Sequence, residues 1–84
     1  MSMKKLFVAN FPKFVEDEDL KQLFEEYGPV YDVTVWKDLD TGESKGWGTV
    51  VMHYERDADN AVDSLDGSWW HNRKLTVNEF RPRR

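Results

Sequence analysis

Apolar residues recur along this chain with two different periods, and the switches between them divide it into six segments. Leu20, Leu23, Phe24 and Tyr27 stand at i, i+3, i+4 and i+7, the spacing that lines side chains along one face of an α-helix. Glu25 and Glu26 fall between the stripe positions and Glu16 to Asp19 precede them, so the stripe faces inward and the acids outward. Gly28-Pro29 stops this helix. Ala58, Ala61, Val62 and Leu65 repeat the spacing, with Gly67 as the stop. Acids crowd the start of both segments, where negative charge favours the positive end of the helix dipole.

Four other stretches alternate with period two, the signature of strands with one buried face. Leu6 and Val8 alternate with Phe7 and Ala9, and Val33 and Val35 with Asp32, Thr34 and Trp36. Gly48, Val50 and Met52 alternate with Trp47, Thr49 and Val51, and Leu75 and Val77 with Thr76, Asn78 and Phe80. Asp38 to Glu43 reads as a hairpin between the second and third strands. The order strand, helix, strand, strand, helix, strand predicts an α+β fold, the ferredoxin-like βαββαβ sandwich: a four-stranded antiparallel sheet with two helices on one face. Helices then cover Leu6, Val8, Val33, Val35, Val50, Leu75 and Val77. The open face carries Phe7, Trp36, Trp47, Thr49, Val51 and Asn78, and large rings facing water mark a binding surface.

With 84 residues the chain is expected to form a single domain, with its core over residues 4–80 and a basic tail over 81–84. The absence of cysteine excludes disulfides, thiolate metal sites and thiol nucleophiles. Mean hydropathy is -0.77 and no apolar run approaches the roughly 20 residues of a membrane span, so a cytoplasmic address is expected. His53 and His71 are isolated, and no Ser or Cys is placed beside them as a nucleophile; no catalysis, cofactor or metal is expected. Asp38, Asp40 and Gly42 have the wrong spacing for a calcium loop and suit a turn.

Net charge is -4, which by itself argues against a nucleic-acid ligand. Its distribution argues the other way. Residues 15–27 and 55–66, the helical segments, hold 11 of the 16 acids against two bases, leaving ten bases and five acids for everything else. With both helices on one side, the opposite side is basic.

Leu6-Phe7-Val8-Ala9-Asn10-Phe11 and Lys45-Gly46-Trp47-Gly48-Thr49-Val50-Val51-Met52 resemble the two signature strands of the RNA-recognition motif family, the second following Lys/Arg-Gly-Phe/Tyr-Gly/Ala-Phe-Val-x-Phe/Tyr. The resemblance spans residues 4–80 and is greatest to small single-domain bacterial members. It implies a non-catalytic domain that binds single-stranded RNA. Phe7 and Trp47 would be base-stacking platforms beside Ala9, Lys45 would meet phosphate, and Asn78 would read base edges. Arg73, Lys74, Arg81, Arg83 and Arg84 would extend the phosphate path. Thr49 stands where the family stacks a second aromatic, while Trp36, Trp69, Phe80 and Tyr31 add rings elsewhere, so the site is expected to be remodelled, with Thr49, Trp36 and Phe80 counted among its RNA-contacting residues. The alternative is a protein-interaction or self-associating domain, natural or engineered, in which Trp36, Trp47 and Phe80 dock a peptide or a second copy. Phe14, Phe24 and Tyr27 are expected in the core or at its rim, Trp70 beneath the second helix, and the helical carboxylates on solvated faces.

Overall fold

The computed structural model describes residues 2–81. Its elements are β1 (Lys4–Ala9), α1 (Asp17–Glu25), β2 (Val30–Lys37), β3 (Ser44–Met52), α2 (Glu55–Leu65), a short hairpin of β4 (Trp69–Trp70) and β5 (Arg73–Lys74), and β6 (Thr76–Glu79). The main sheet runs β2-β3-β1-β6 with antiparallel pairing throughout, so the two signature strands lie at its centre. This is the predicted architecture with one addition. The β4–β5 hairpin turns at His71 and Asn72, both at positive φ (51° and 65°), in a stretch too short to show strand periodicity.

The core is built from the stripes and alternations of the sequence. Leu20 and Phe24 of α1 and Ala58, Ala61 and Leu65 of α2 close over Leu6, Val8, Val35, Val50, Leu75 and Val77. Each large apolar side chain fully buried this way contributes about 1.5–3 kcal/mol relative to exposure. Val33 and Tyr27 pack at the rim. Among the described residues no helix is long and apolar enough to cross a membrane.

Two aromatic expectations are corrected. Phe14 is 64% exposed: in the β1–α1 connection it is Phe11 and Val15 that turn inward, leaving Phe14 edge-on to His71 at 5.1 Å. Trp70, expected in the core, is only half-buried; its ring rests on the core and lines a cleft with Gln22 and Leu23 of α1.

The helical carboxylates also do more than face solvent. Asp17 accepts the Val35 N–H at 2.8 Å and Asp66 accepts the Val77 N–H at 2.9 Å. Val35 and Val77 belong to β2 and β6, the two edges of the sheet. A carboxylate at one end of each helix thus satisfies an outward N–H that another strand would otherwise pair with. At the start of α1 the Asp19 carboxylate accepts the Glu16 N–H at 2.8 Å, satisfying a free donor at the helix terminus.

Candidate nucleic-acid interface

Strand register sorts the uncovered face into three rows. The central row, from β6 to β2, is Asn78, Phe7, Thr49 and Thr34. One row toward the start of β3 lie Thr76, Ala9 and Trp47; on the other side Lys5, Val51 and Asp32 align, and the Phe80 N–H bonds the Lys5 carbonyl at 2.8 Å. Phe7 and Trp47 are diagonal neighbours, within reach for aromatic side chains, and their ring centroids lie 5.6 Å apart. Trp47 stacks in turn on Trp36 at 5.8 Å with 24° between planes. The three rings form a strip across β1, β3 and β2.

Two local features place Trp36 in that strip. Gly48 lies so close to β2 that a Cβ there would strike the Thr34 carbonyl, which brings the strands together. Beyond it the register slips between Val35↔Gly48 and Lys37↔Ser44, so Lys45, Gly46 and Trp47 stand opposite Trp36 alone. This bulge is held by the Gly46 N–H bonding the Ser44 hydroxyl at 3.0 Å, and it turns Trp36 onto Trp47.

Thr49 is on the open face as expected, yet it is 6% exposed. It was expected among the ligand-contacting residues; it forms the floor beneath its neighbours instead. Because it is small, the larger side chains around it close over the position where the family carries a ring.

Beside Phe7 and Trp47 an open depression of about 390 Å³ is lined by Ala9, Asn10, Lys45, Gly46 and Arg73. Ala9 leaves room next to the Trp47 ring. Asn10 organises the wall: at φ 70° its N–H bonds the Gly46 carbonyl at 2.9 Å and its Nδ2 donates to the Lys74 carbonyl at 2.8 Å. Arg73 donates from Nε to the Asn10 carbonyl at 3.3 Å and from a terminal nitrogen to Oδ1 at 3.1 Å. Sequence reasoning missed Asn10 as this hub. The usable signal was an Asn directly after a strand, a residue type that tolerates positive φ and both donates and accepts.

The expected basic face is narrower than the count of bases suggests. Lys4 reaches the helical side, where its ammonium meets Asp59 at 2.7 Å and Glu55 and Glu79 at 3.7 Å. The hydrogen bond to Asp59 raises its pKa, aided by attraction to the other two acids. Lys13 pairs with Glu43, Lys37 with Glu16 and Arg81 with Glu79, so Arg81 offers less net charge to a ligand than expected. Among the described residues Lys45 and Arg73 form no ion pair, and both line the depression. Lys5 lies 4.7 Å from the Phe80 ring centroid, a cation–π contact that holds both at the β1–β6 side of the face. Arg83 and Arg84 fall outside the described residues. In the β2–β3 turn the Asp38 carboxylate accepts the N–H groups of Asp40 at 2.8 Å and Thr41 at 3.1 Å, which hold its pKa below the ordinary aspartate value.

The family profile described as RNA recognition motif matches residues 6–76. The chain belongs to the RNA recognition motif family. Among curated proteins this RNA recognition motif is 40% identical over 78 residues to RbpE of Nostoc sp., which carries an RNA-binding name, covering 93% of this chain and 79% of that one. It is also 40% identical to the chloroplastic 28 kDa ribonucleoprotein of Spinacia oleracea, of which it spans 35%. Among solved structures it superposes on RNA binding protein PG1 with a TM-score of 0.91 at 37% identity, covering 96% of this chain and 98% of that one. On the Sex-lethal protein/RNA complex the TM-score is 0.89 at 32% identity, covering 96% of this RNA recognition motif and 48% of that chain.

Proposed function

We propose that this domain binds single-stranded RNA on the open face of its sheet, without catalysis, stacking bases on Phe7 and Trp47 and setting phosphates against Lys45 and Arg73. The observation that carries the reading is the contact of two half-buried rings with a depression whose wall holds two cations free of ion pairs. Rings on a sheet are fixed by the backbone beneath them, so little freedom is lost when a base stacks; each such stack contributes about 1–3 kcal/mol without specifying the base. Exposed Asn78, directly across from Phe7, is within the same row and supplies an amide for a base edge. His53 and His71 lie against the rings of Tyr31, Phe14 and Trp70, and neither lines the depression. The names of the relatives point to the same ligand, and one related structure is that of a poly(U)-binding protein, which makes oligouridylate the first probe. We assign the domain to the cytoplasm of its cell, where single-stranded RNA is its ligand.

The test is tryptophan fluorescence during titration with octauridylate at low and high salt. Quenching that weakens with salt, with a slope of about -0.7 per phosphate neutralised, supports the reading. Indifference to RNA, with self-association instead, transfers the face to a protein partner.

A further inference from the structure

We propose that Trp36 forms a base-stacking subsite of its own on β2, which lengthens the RNA site transversely and takes over from the ring absent at Thr49. This rests on the RNA-binding reading above. Of the three rings in the strip Trp36 is the most open, at 44% exposure, whereas Phe7 and Trp47 are half-buried. One side of its indole is held by Trp47 at 5.8 Å, nearly parallel, and the bulge between Val35 and Lys37 fixes the backbone that carries it. A base cannot enter between the two indoles. Insertion needs about 6.8 Å between parallel rings, twice the roughly 3.4 Å stacking repeat of nucleic acid, and the pair is already closer than that. A ligand base is therefore left with the outward side of Trp36, at the β2 edge of the strip.

Thr49 makes the arrangement possible. A ring at that position would fill the centre of the face between Phe7 and Thr34, its cross-strand partners. With threonine there, buried to 6% exposure, the neighbouring rings close together and the aromatic surface moves outward from β3 to β2. The number of platforms is kept and their direction changes: a strand bound over Phe7 and Trp47 continues toward β2.

The experiment compares Trp36→Ala, Trp36→Phe and Phe7→Ala in the full chain, by anisotropy with octauridylate and by NMR titration with diuridylate, which is long enough for Phe7 and Trp47 alone. The subsite predicts that Trp36→Ala weakens octauridylate about five- to hundredfold, leaves diuridylate within about twofold, and that Trp36→Phe retains most of the affinity. Octauridylate affinity unchanged in Trp36→Ala but reduced in Phe7→Ala overturns the subsite and leaves the RNA reading standing. An equal loss for both lengths also overturns it, since Trp36 would then act only by positioning Trp47. If Phe7→Ala too is without effect, the RNA reading falls and the subsite with it. Loss of self-association in Trp36→Ala at unchanged RNA affinity assigns the ring to a second copy of the chain and overturns the proposal.

Discussion

Phe7 and Trp47 touch, so their contributions to binding must be coupled, and a double-mutant cycle measures the coupling. In the proposed site each ring stacks a base for about 1–3 kcal/mol. Each also holds the other: the centroids are 5.6 Å apart at 37°, a ring contact of about 0.5–1.5 kcal/mol. Phe7→Ala removes one base platform and frees the Trp47 indole on that side, so part of the second stack is lost with the first; Trp47→Ala does the converse. The double variant loses both stacks but has no disordered ring left to penalise. The summed losses of the single variants should therefore exceed the loss of the double variant by about 0.5–1.5 kcal/mol, roughly two- to tenfold in affinity. The assay is anisotropy with octauridylate at one fixed salt concentration, with urea midpoints confirming that all variants fold. Strict additivity, with the product of the single-variant losses equal to the double-variant loss, would refute the coupled platform, because sites without contact add within about 0.3–0.5 kcal/mol.

Three further outcomes follow from other parts of the structure. Lys45→Ala should flatten the plot of log affinity against log salt by about 0.7 units, one phosphate contact, while an unchanged slope removes Lys45 from the site. Asp17→Ala and Asp66→Ala should each lower stability by about 1.5–3 kcal/mol in urea unfolding, the range for hydrogen bonds to a charged group, and speed amide exchange at Val35 and Val77 respectively. Asp38, whose folded pKa is depressed by two backbone N–H donors, contributes stability that is present above the ordinary aspartate pKa and lost as pH falls through its lower folded value; NMR titration should find it below the ordinary aspartate value, and Asp38→Asn should remove that part of the acid sensitivity.

The layers of this fold were legible because burial acts at every position of a strand or helix. Leu6 and Val8, Val50 and Met52, or Leu20 and Phe24 each repeat the same inward choice, and a consistent period survives single exceptions. The rings of Phe7, Trp47 and Trp36 could be put on one face by the same alternation. Their contact could not, because it depends on a register slip between Val35 and Lys37 and on backbone crowding at Gly48, neither of which has a periodic signal. Phe14 lies outside the core for a related reason: in a connection with no period, Phe11, Phe14 and Val15 compete for the core, and only the chain's path decides which are buried. Charge counting likewise located the basic side but not its usable part, since Lys4, Lys37 and Arg81 are engaged by acids that the topology brings near. Nothing in the sequence sets Asp17 and Asp66 apart from the other helical acids; only the edge strands beside them do.

A chain of net charge -4 that binds a polyanion must keep its acids out of the ligand's sight, and the fold does so by distance and solvent. Eleven acids belong to the segments 15–27 and 55–66, on the helical side, while the proposed ligand lies on the opposite face of the sheet. One sheet and one helix layer separate them, on the order of 10 Å or more. At 0.1 M salt the Debye length is about 10 Å and the helices are largely screened; at 0.01 M it is about 30 Å, longer than the 23 Å short axis of the molecule. Lowering the salt therefore strengthens the attraction of Lys45 and Arg73 and at the same time exposes the RNA to repulsion from the helices. The plot of log affinity against log salt should be straight above about 0.1 M and flatten toward 0.01 M. Neutralising exposed helical acids with Glu25→Gln, Glu26→Gln and Asp63→Asn should restore the steeper slope at low salt and change little above 0.1 M. A plot that stays straight down to 0.01 M in the parent would mean that the helical charge is not felt at the sheet, and the separation of charge between the two faces would then have no part in binding.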